Sequence, residues 1–389
     1  MADAGARRAP ADASLATVAR EWTRIGITGF GGPPAHIALL RTLVVERMRW
    51  MDARAFQDAN AACALLPGPA STQLSIFCAY RVAGPAGAIV GGLGFILPAV
   101  ILILALSSLF LERSPPLWVR GAGAGAGAAV AAVALQAARG LIGPSVAHVT
   151  GNRARTARWV CYLAVSAAAA ALLGPYLVLV LLACGLAELL IRRRLGVPGL
   201  SLVVAPAMVA AGGIGALAWT AFKVGALSFG GGFVIIPLMQ GDAVHAYHWM
   251  TSQEFLNAVA LGQVTPGPVV ATVAAVGYAA HGVAGGLLAA FVAFSPSFSF
   301  ILLGGRRFEQ LRTNHNAQAF LDGTGPAAIG AILGAAIVLA EILQETWQFA
   351  ILAAAALALL VLKRGVVQTL VGAGAIGVIA ALAGAPLPR

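Results

Sequence analysis

The sequence predicts an all-α polytopic membrane protein, a tandem repeat of inverted topology with broken or re-entrant helices and about 9–13 membrane segments. Three observations predict it. The 389 residues are 60% hydrophobic and only 10% charged, with a mean hydropathy of +0.88. A water-facing protein of this size needs about a quarter of its residues charged, so the solvent here is lipid. Apolar stretches long enough to cross roughly 30 Å of hydrocarbon recur along the chain, and a self-comparison overlays one half on the other.

The overlay holds a register of rare residues. At an offset of 199, Gly26-x-x-x-Phe30-Gly31-Gly32 matches Gly225-x-x-x-Phe229-Gly230-Gly231, Trp50-Met51 matches Trp249-Met250, and Pro67-Gly68-Pro69 matches Pro266-Gly267-Pro268. One residue is then lost. At 198, Tyr80 pairs with Tyr278, Gly84 with Gly282, Gly87 with Gly285 and Pro98 with Pro296. The expected units are an N-terminal repeat over 1–195, a linker or extra span over 196–214, and a C-terminal repeat over 215–389.

Loop charge orients the copies. Residues 41–58 hold Arg41, Arg47, Arg49 and Arg54, whereas the equivalent 240–254 holds Asp242 and Glu254 but no Lys or Arg. Arg153, Arg155 and Arg158 have Glu341 and Glu345 as counterparts, and the Glu112–Arg120 loop corresponds to the more basic Arg306, Arg307 and Arg312. Basic loops mark the cytoplasmic side, so asymmetry that swaps between copies predicts inversion, with 41–58 inside and 240–254 outside. The net charge of +11 therefore reports topology and no nucleic-acid partner. Full spans are expected near 84–111, 121–142, 159–173, 175–191, 282–303, 324–345, 346–362 and 365–383. The Gly/Ala tract 121–129 reads as a thin, close-packing helix. Cys63, Cys78, Cys161 and Cys184 read as free, buried thiols without metal-ligand spacing, and no cofactor or metal is expected. Residues 1–14 are not followed by a cleavable signal core.

Two segments per half are apolar but interrupted, at Gly29-Phe30-Gly31-Gly32-Pro33-Pro34 and Leu66-Pro67-Gly68-Pro69, and at Ser228-Phe229-Gly230-Gly231-Gly232 and Thr265-Pro266-Gly267-Pro268. Proline ends a helix, and a helix restarting inside the membrane points unpaired N–H groups and partial positive charge at whatever lies there. Such ends bind anions. Packing kinks are the plainer reading of a single break, but four in matched pairs favour a site. Arg24 and Lys223 stand at equivalent positions two turns ahead of these breaks, where an intramembrane cation would offset anionic charge; Arg24 could instead pair with Glu21 or reach an interface. His36 could donate to an oxyanion, carry a proton or be structural. Thr72 and Gln73 open the helix after Pro69, with Gln263, Thr265 and Thr272 as their second-half counterparts. Arg81 and His281 are expected at the interface.

Phe30-Gly31-Gly32-Pro33-x-Ala35-His36-Ile37, Arg47-x-Arg49-Trp50, Leu66-Pro67-Gly68-Pro69-x-x-Thr72-Gln73-Leu74 and Phe95-x-Leu97-Pro98, with the second-half Phe229-Gly230-Gly231-Gly232 and Thr265-Pro266-Gly267-Pro268, resemble the signature of the chromate ion transporter family in its long, two-domain form. Pro34, Cys78 and the small 121–129 tract depart from it. The resemblance implies a secondary transporter exporting chromate across the bacterial inner (plasma) membrane by alternating access and conferring chromate resistance, with sulfate as a second cargo. A sulfate transporter or an anion channel is the alternative. The expected binding residues are Arg24, Phe30, Gly31, Gly32, His36, Gly68, Thr72, Gln73, Lys223, Gly230, Gly231, Gly232, Thr265 and Gly267. The chain contains no HExxH, GxSxG or GxxxxGK[ST] pattern, so neither an embedded hydrolase nor ATP-driven transport is expected. The expected partners are the anion and the lipid bilayer, and a homodimer is compatible with the sequence.

Overall fold

The computed structural model describes residues 13–112, 114–147, 149–173, 176–193, 212–228, 233–304 and 314–388, and every regular element among them is helical. Phe229, Gly230, Gly231 and Gly232, the 194–211 part of the linker, and Arg306, Arg307 and Arg312 lie outside the described residues. The first half runs α1 (Leu15–Thr28), α2 (Pro33–Arg41), α3 (Ala53–Leu65), α4 (Ala70–Phe110), α5 (Leu117–Ala147), α6 (Arg153–Leu172) and α7 (Leu177–Arg193). The second runs α8 (Ile214–Leu227), α9 (Ile235–Gln240), α10 (Ser252–Val264), α11 (Val273–Gly304), α12 (His315–Glu341), α13 (Thr346–Ala356) and α14 (Val366–Leu382).

Local chemistry sets the starts of these helices. Asp52 caps α3 by accepting from Ala55 N at 2.8 Å, Asn152 caps α6, and Thr251 with Glu254 forms a capping box on α10. Each satisfies a donor that a helix start leaves unpaired. The backbone repeats as faithfully as the residues. Both α2 and α9 run on into a π-helical turn, Thr42–Arg47 and Gly241–Ala246. Each turn is followed by a left-handed residue, Arg49 (φ 53°) and His248 (φ 52°). The residue missing from the second copy is absorbed after Pro268. There Val269–Thr272 is a 3₁₀ turn, and its longer rise of about 2.0 Å per residue, against 1.5 Å in an α-helix, covers nearly the same distance with one residue fewer.

Helix α4 is a hairpin. Ala83 (φ −142°, ψ 28°) and Gly84 (φ 63°, ψ −159°) leave the helical region, and the second conformation is open essentially to glycine alone. A Cβ on Gly91 would fall 2.5 Å from that of Ala79, whereas the two lie about 18 Å apart in a straight helix. Helix α11 turns the same way at His281 (φ −145°, ψ 31°) and Gly282 (φ 63°, ψ −156°). The spans expected to begin at 84 and 282 therefore start at the hairpin tips, where Arg81 and His281 are exposed. The two returning limbs pack on each other antiparallel, Gly92 against the Phe298 ring and Leu104 against Gly286.

The long third helices are exchanged between halves. Helix α5 packs on α13 and α14 of the second half, and α12 packs on α6 and α7 of the first. The Gly/Ala tract makes this contact: Gly121 and Gly125 lie against Gly377 and Ala373, while Gly123 meets Asn257 of α10. Gln348 Nε2 donates to the Ala124 carbonyl at 3.2 Å. On the other side Gly330 and Gly334 meet the α6 backbone at Leu163 and Ala167. At one end of this seam the buried Glu188 takes hydrogen bonds from Arg158 (2.7 and 3.1 Å), Arg192 (2.9 Å) and Tyr162 (3.2 Å), and Arg192 reaches Asp322 of α12 at 2.5 Å.

Large apolar side chains stand on the outside: Leu303 is 86% exposed, Leu172 80% and Phe291 75%. Among the described residues, four helices are apolar and long enough to cross a bilayer, and three shorter apolar helices accompany them. The chain is an all-α polytopic membrane protein. One detail of the sequence reading is corrected. Cys63, Cys78 and Cys184 are buried, but Cys161 is exposed, because it falls on the outer face of α6.

Candidate functional site

The Pro-Gly-Pro turns are seated reciprocally. Gly267 (φ 97°) lies against the Gly26 carbonyl of α1 and against Phe95 and Ala99 of α4, and its N–H donates to the Gly29 carbonyl at 3.0 Å. Gly68 (φ 116°) lies against the Gly225 carbonyl of α8 and Ser297 of α11. Each turn thus closes on the end of the other half's first helix. A side chain at either glycine would collide with the opposing wall, and the positive φ disfavours one in any case.

His36 ties the first-half breaks together. It is fully buried. Its Nε2 lies 2.9 Å from the Gly29 carbonyl and its Nδ1 3.3 Å from Ser71 Oγ, while Phe95 stands edge-on at 5.0 Å. A carbonyl only accepts, so Nε2 carries the hydrogen and Nδ1 accepts from the serine. Both nitrogens are occupied within the protein, and His36 is a joint between α2, the end of α1 and the start of α4. We expect His36→Ala to lower stability by about 2 kcal/mol, through unpaired polar groups and a cavity, with His36→Gln recovering part of it. Unfolding in mixed micelles measures this, and a variant as stable as the parent would remove the joint.

The restarting helices differ as donors. Helix α2 opens on Pro33 and Pro34, which have no N–H, and the N–H groups of Ala35 and His36 both go to the Gly32 carbonyl at 3.1 and 3.2 Å. The first turn of α2 therefore offers no free N–H from residues 33–36, and Phe30 and Gly31 at the break are exposed. After Pro69 the situation is different. Thr72 and Gln73 return their N–H groups to the Pro69 carbonyl at 3.0 Å each, leaving the N–H groups of Ala70 and Ser71 ahead of the helical ladder.

The two cations are placed differently from each other. Lys223 Nζ is 2.6 Å from Asp242 Oδ2 in the π-helical turn, which also accepts from Thr220 Oγ1 at 2.7 Å, and Trp219 lies 6.0 Å from the ammonium. Lys223 is thus neutralised within its own half. Arg24 is exposed and has no ion-pair partner among the described residues; Glu21 pairs instead with Arg47 and, at 3.4 Å, Arg20. The repeat reverses the polarity of this link. In the first half the acid sits on the helix and the base in the π-helical turn, and in the second half the base sits on the helix.

Several unpartnered polar groups lie near the breaks. Among the described residues, buried Thr72 Oγ1, Gln73 Oε1, Ser228 Oγ, Gln263 Nε2 and Ser297 Oγ have no hydrogen-bond partner. Gln73 Nε2 donates to the Pro67 carbonyl at 2.7 Å, which fixes the orientation of its amide. Thr265 is buried at the end of α10. Ser228 and Ser297 were missed from sequence because their first-half equivalents, Gly29 and Ala99, are not polar, so the repeat does not mark them. A buried polar group left unpaired is unfavourable, and donors of this kind beside a helix start are suited to an oxyanion.

No solved structure matches the chain. It is 32% identical over 372 residues to the chromate transport protein of Cupriavidus metallidurans, covering 92% of this chain and 91% of that protein. It is 30% identical over 368 residues to the chromate transport protein of Pseudomonas aeruginosa, covering 88% and 85%. It is 26% identical over 324 residues to an uncharacterized transporter, MJ0718, of Methanocaldococcus jannaschii, covering 77% and 78%. The chromate transporter family description matches residues 16–189 and 215–378, one stretch in each half. With that coverage added to the motifs and the repeated breaks, the chain belongs to the chromate transporter family.

Proposed function

We propose that this protein is a secondary transporter that exports chromate across the bacterial inner membrane by alternating access and confers chromate resistance. The observation that carries the proposal is the reciprocal seating of the two Pro-Gly-Pro turns, with unpartnered buried polar groups beside them. The functional repeats are 1–195 and 215–389, joined by 196–214. Their inverted orientation is supported by the antiparallel packing of the equivalent limbs of α4 and α11. A two-fold axis relating two antiparallel helices runs perpendicular to them, which for helices crossing a bilayer means in its plane. Rocking one half against the other would open the turns to each side alternately.

The anion would be held mainly by neutral donors, the N–H groups of Ala70 and Ser71 together with hydroxyls, because Lys223 is paired and Arg24 is exposed. The negative-inside potential favours anion exit by about 2.3 kcal/mol per charge per 100 mV and so can drive export without ATP. The test is chromate uptake into inverted vesicles from an expressing strain, energised by a potential alone or a pH gradient alone, with sulfate as competitor. Saturable uptake driven by the potential is expected. No uptake under either condition would remove the transport reading, non-saturable flux would make the protein a channel, and sulfate uptake in place of chromate would change the cargo.

A further inference from the structure

The two Pro-Gly-Pro turns are equivalent in sequence but not in chemistry. At Gly267 the groups facing the glycine itself are paired or apolar. The Gly267 N–H goes to the Gly29 carbonyl, which also receives His36 Nε2. The hydroxyl of Thr272, in the turn after Pro268, donates to the Val269 carbonyl at 2.7 Å, and the wall facing the glycine is the methyl group of Ala99. Ahead of the turn, Gln263 Nε2 on α10 is left unpartnered among the described residues, and Thr265 is buried at the end of the same helix.

At Gly68 the equivalent places are unsatisfied. Ser297 replaces Ala99, and its Oγ would lie 3.6 Å from a Cβ at Gly68, with Gln73 Nε2 at 2.7 Å and the Gly225 carbonyl at 3.2 Å. Ser297, Gln73 and Thr72 are fully buried, yet Ser297 Oγ, Gln73 Oε1 and Thr72 Oγ1 have no partner among the described residues. Ser228, one turn beyond Gly225, is also buried and has none among them. Packing does not explain this side, because the same fold is built at Gly267 with an alanine. Unpaired buried hydroxyls beside the α4 start are a pattern that a bound oxyanion would complete.

We propose that the transporter has one oxyanion-binding turn, at Gly68, in which the Ser297 hydroxyl donates a hydrogen bond to the anion, and that the Gly267 turn is a sealed structural counterpart. Ser297 is then a specificity-determining contact supplied by the second half to a site opened by the first. The inference rests on the transport reading above.

The test is chromate uptake kinetics in proteoliposomes at a fixed potential for the parent protein, Ser297→Ala, Ser297→Cys, Ala99→Ser and the double variant Ser297→Ala/Ala99→Ser. Loss of one hydrogen bond to a charged oxygen should raise KM by about 10-fold or more in Ser297→Ala, with kcat changing much less. Ser297→Cys keeps the volume, donates weakly and should show the same rise, which separates the hydrogen bond from packing. Ala99→Ser should leave KM unchanged, and the double variant should not recover. A KM within twofold of the parent in both Ser297 variants would overturn the inference while leaving transport intact, as would an equal shift from Ala99→Ser. A parent protein that carries no chromate would overturn both.

Discussion

Asp242→Ala is expected to be the most damaging exchange of a single charged residue in the second half. The Asp242 carboxylate is 4% exposed and accepts from Lys223 at 2.6 Å and from Thr220 at 2.7 Å. The Lys223 side chain is itself only 14% exposed. Removing the acid leaves an ammonium in a low-dielectric setting with only the Trp219 face near it, and breaking a buried pair in this one-sided way costs about 3–5 kcal/mol. Removing both charges should be far milder, so Lys223→Met/Asp242→Ala should recover most of the loss. Unfolding curves in mixed micelles for the two single variants and the double variant decide it. An Asp242→Ala loss below about 1 kcal/mol would mean that the pair contributes little.

Gly225→Val should be equally severe for a different reason. A Cβ at Gly225 would overlap the Ala293 carbonyl, a backbone atom of α11 that cannot rotate away. Overpacking usually costs about 1–3 kcal/mol and more where backbone must move, so a loss of about 3 kcal/mol or more is expected. Gly372→Ala is the matched control, since no atom lies within 4 Å of its added Cβ. There an exposed helical glycine becomes alanine, and stability should rise by about 0.5–1 kcal/mol. If both substitutions behaved alike in thermal unfolding, the close approach of α8 and α11 would be wrong.

The repeat was legible because proline, glycine and tryptophan act through the backbone. Gly68 and Gly267 share a left-handed turn, Gly84 and Gly282 share a hairpin tip, and even Arg49 and His248 share a positive φ. The break at Gly29-Phe30-Gly31-Gly32-Pro33-Pro34 was equally visible; that the N–H groups of Ala35 and His36 both return to the Gly32 carbonyl was not. The Lys223–Asp242 pair was not legible. Its members are far apart in sequence and meet only because α9 and its π-helical turn bring the chain back over α8. The polar groups that distinguish the two turns, Ser228 and Ser297, are small and ordinary, and their significance comes from what faces them in space.

The exchange of α5 and α12 bears on how the chain can be made. A protein whose first half were self-sufficient could fold from its N-terminus as it left the ribosome. Here the glycine-lined face of α5 waits for α14, whose Gly377 and Ala373 follow it far along the chain. The α5–α14 seam can therefore close only after α14 has been made, and until then that face of α5 stands in the bilayer unfilled. It follows that ending translation ahead of residue 366 would leave the Gly121–Gly125 face of α5 uncovered, a defect in the first half caused by a loss from the second.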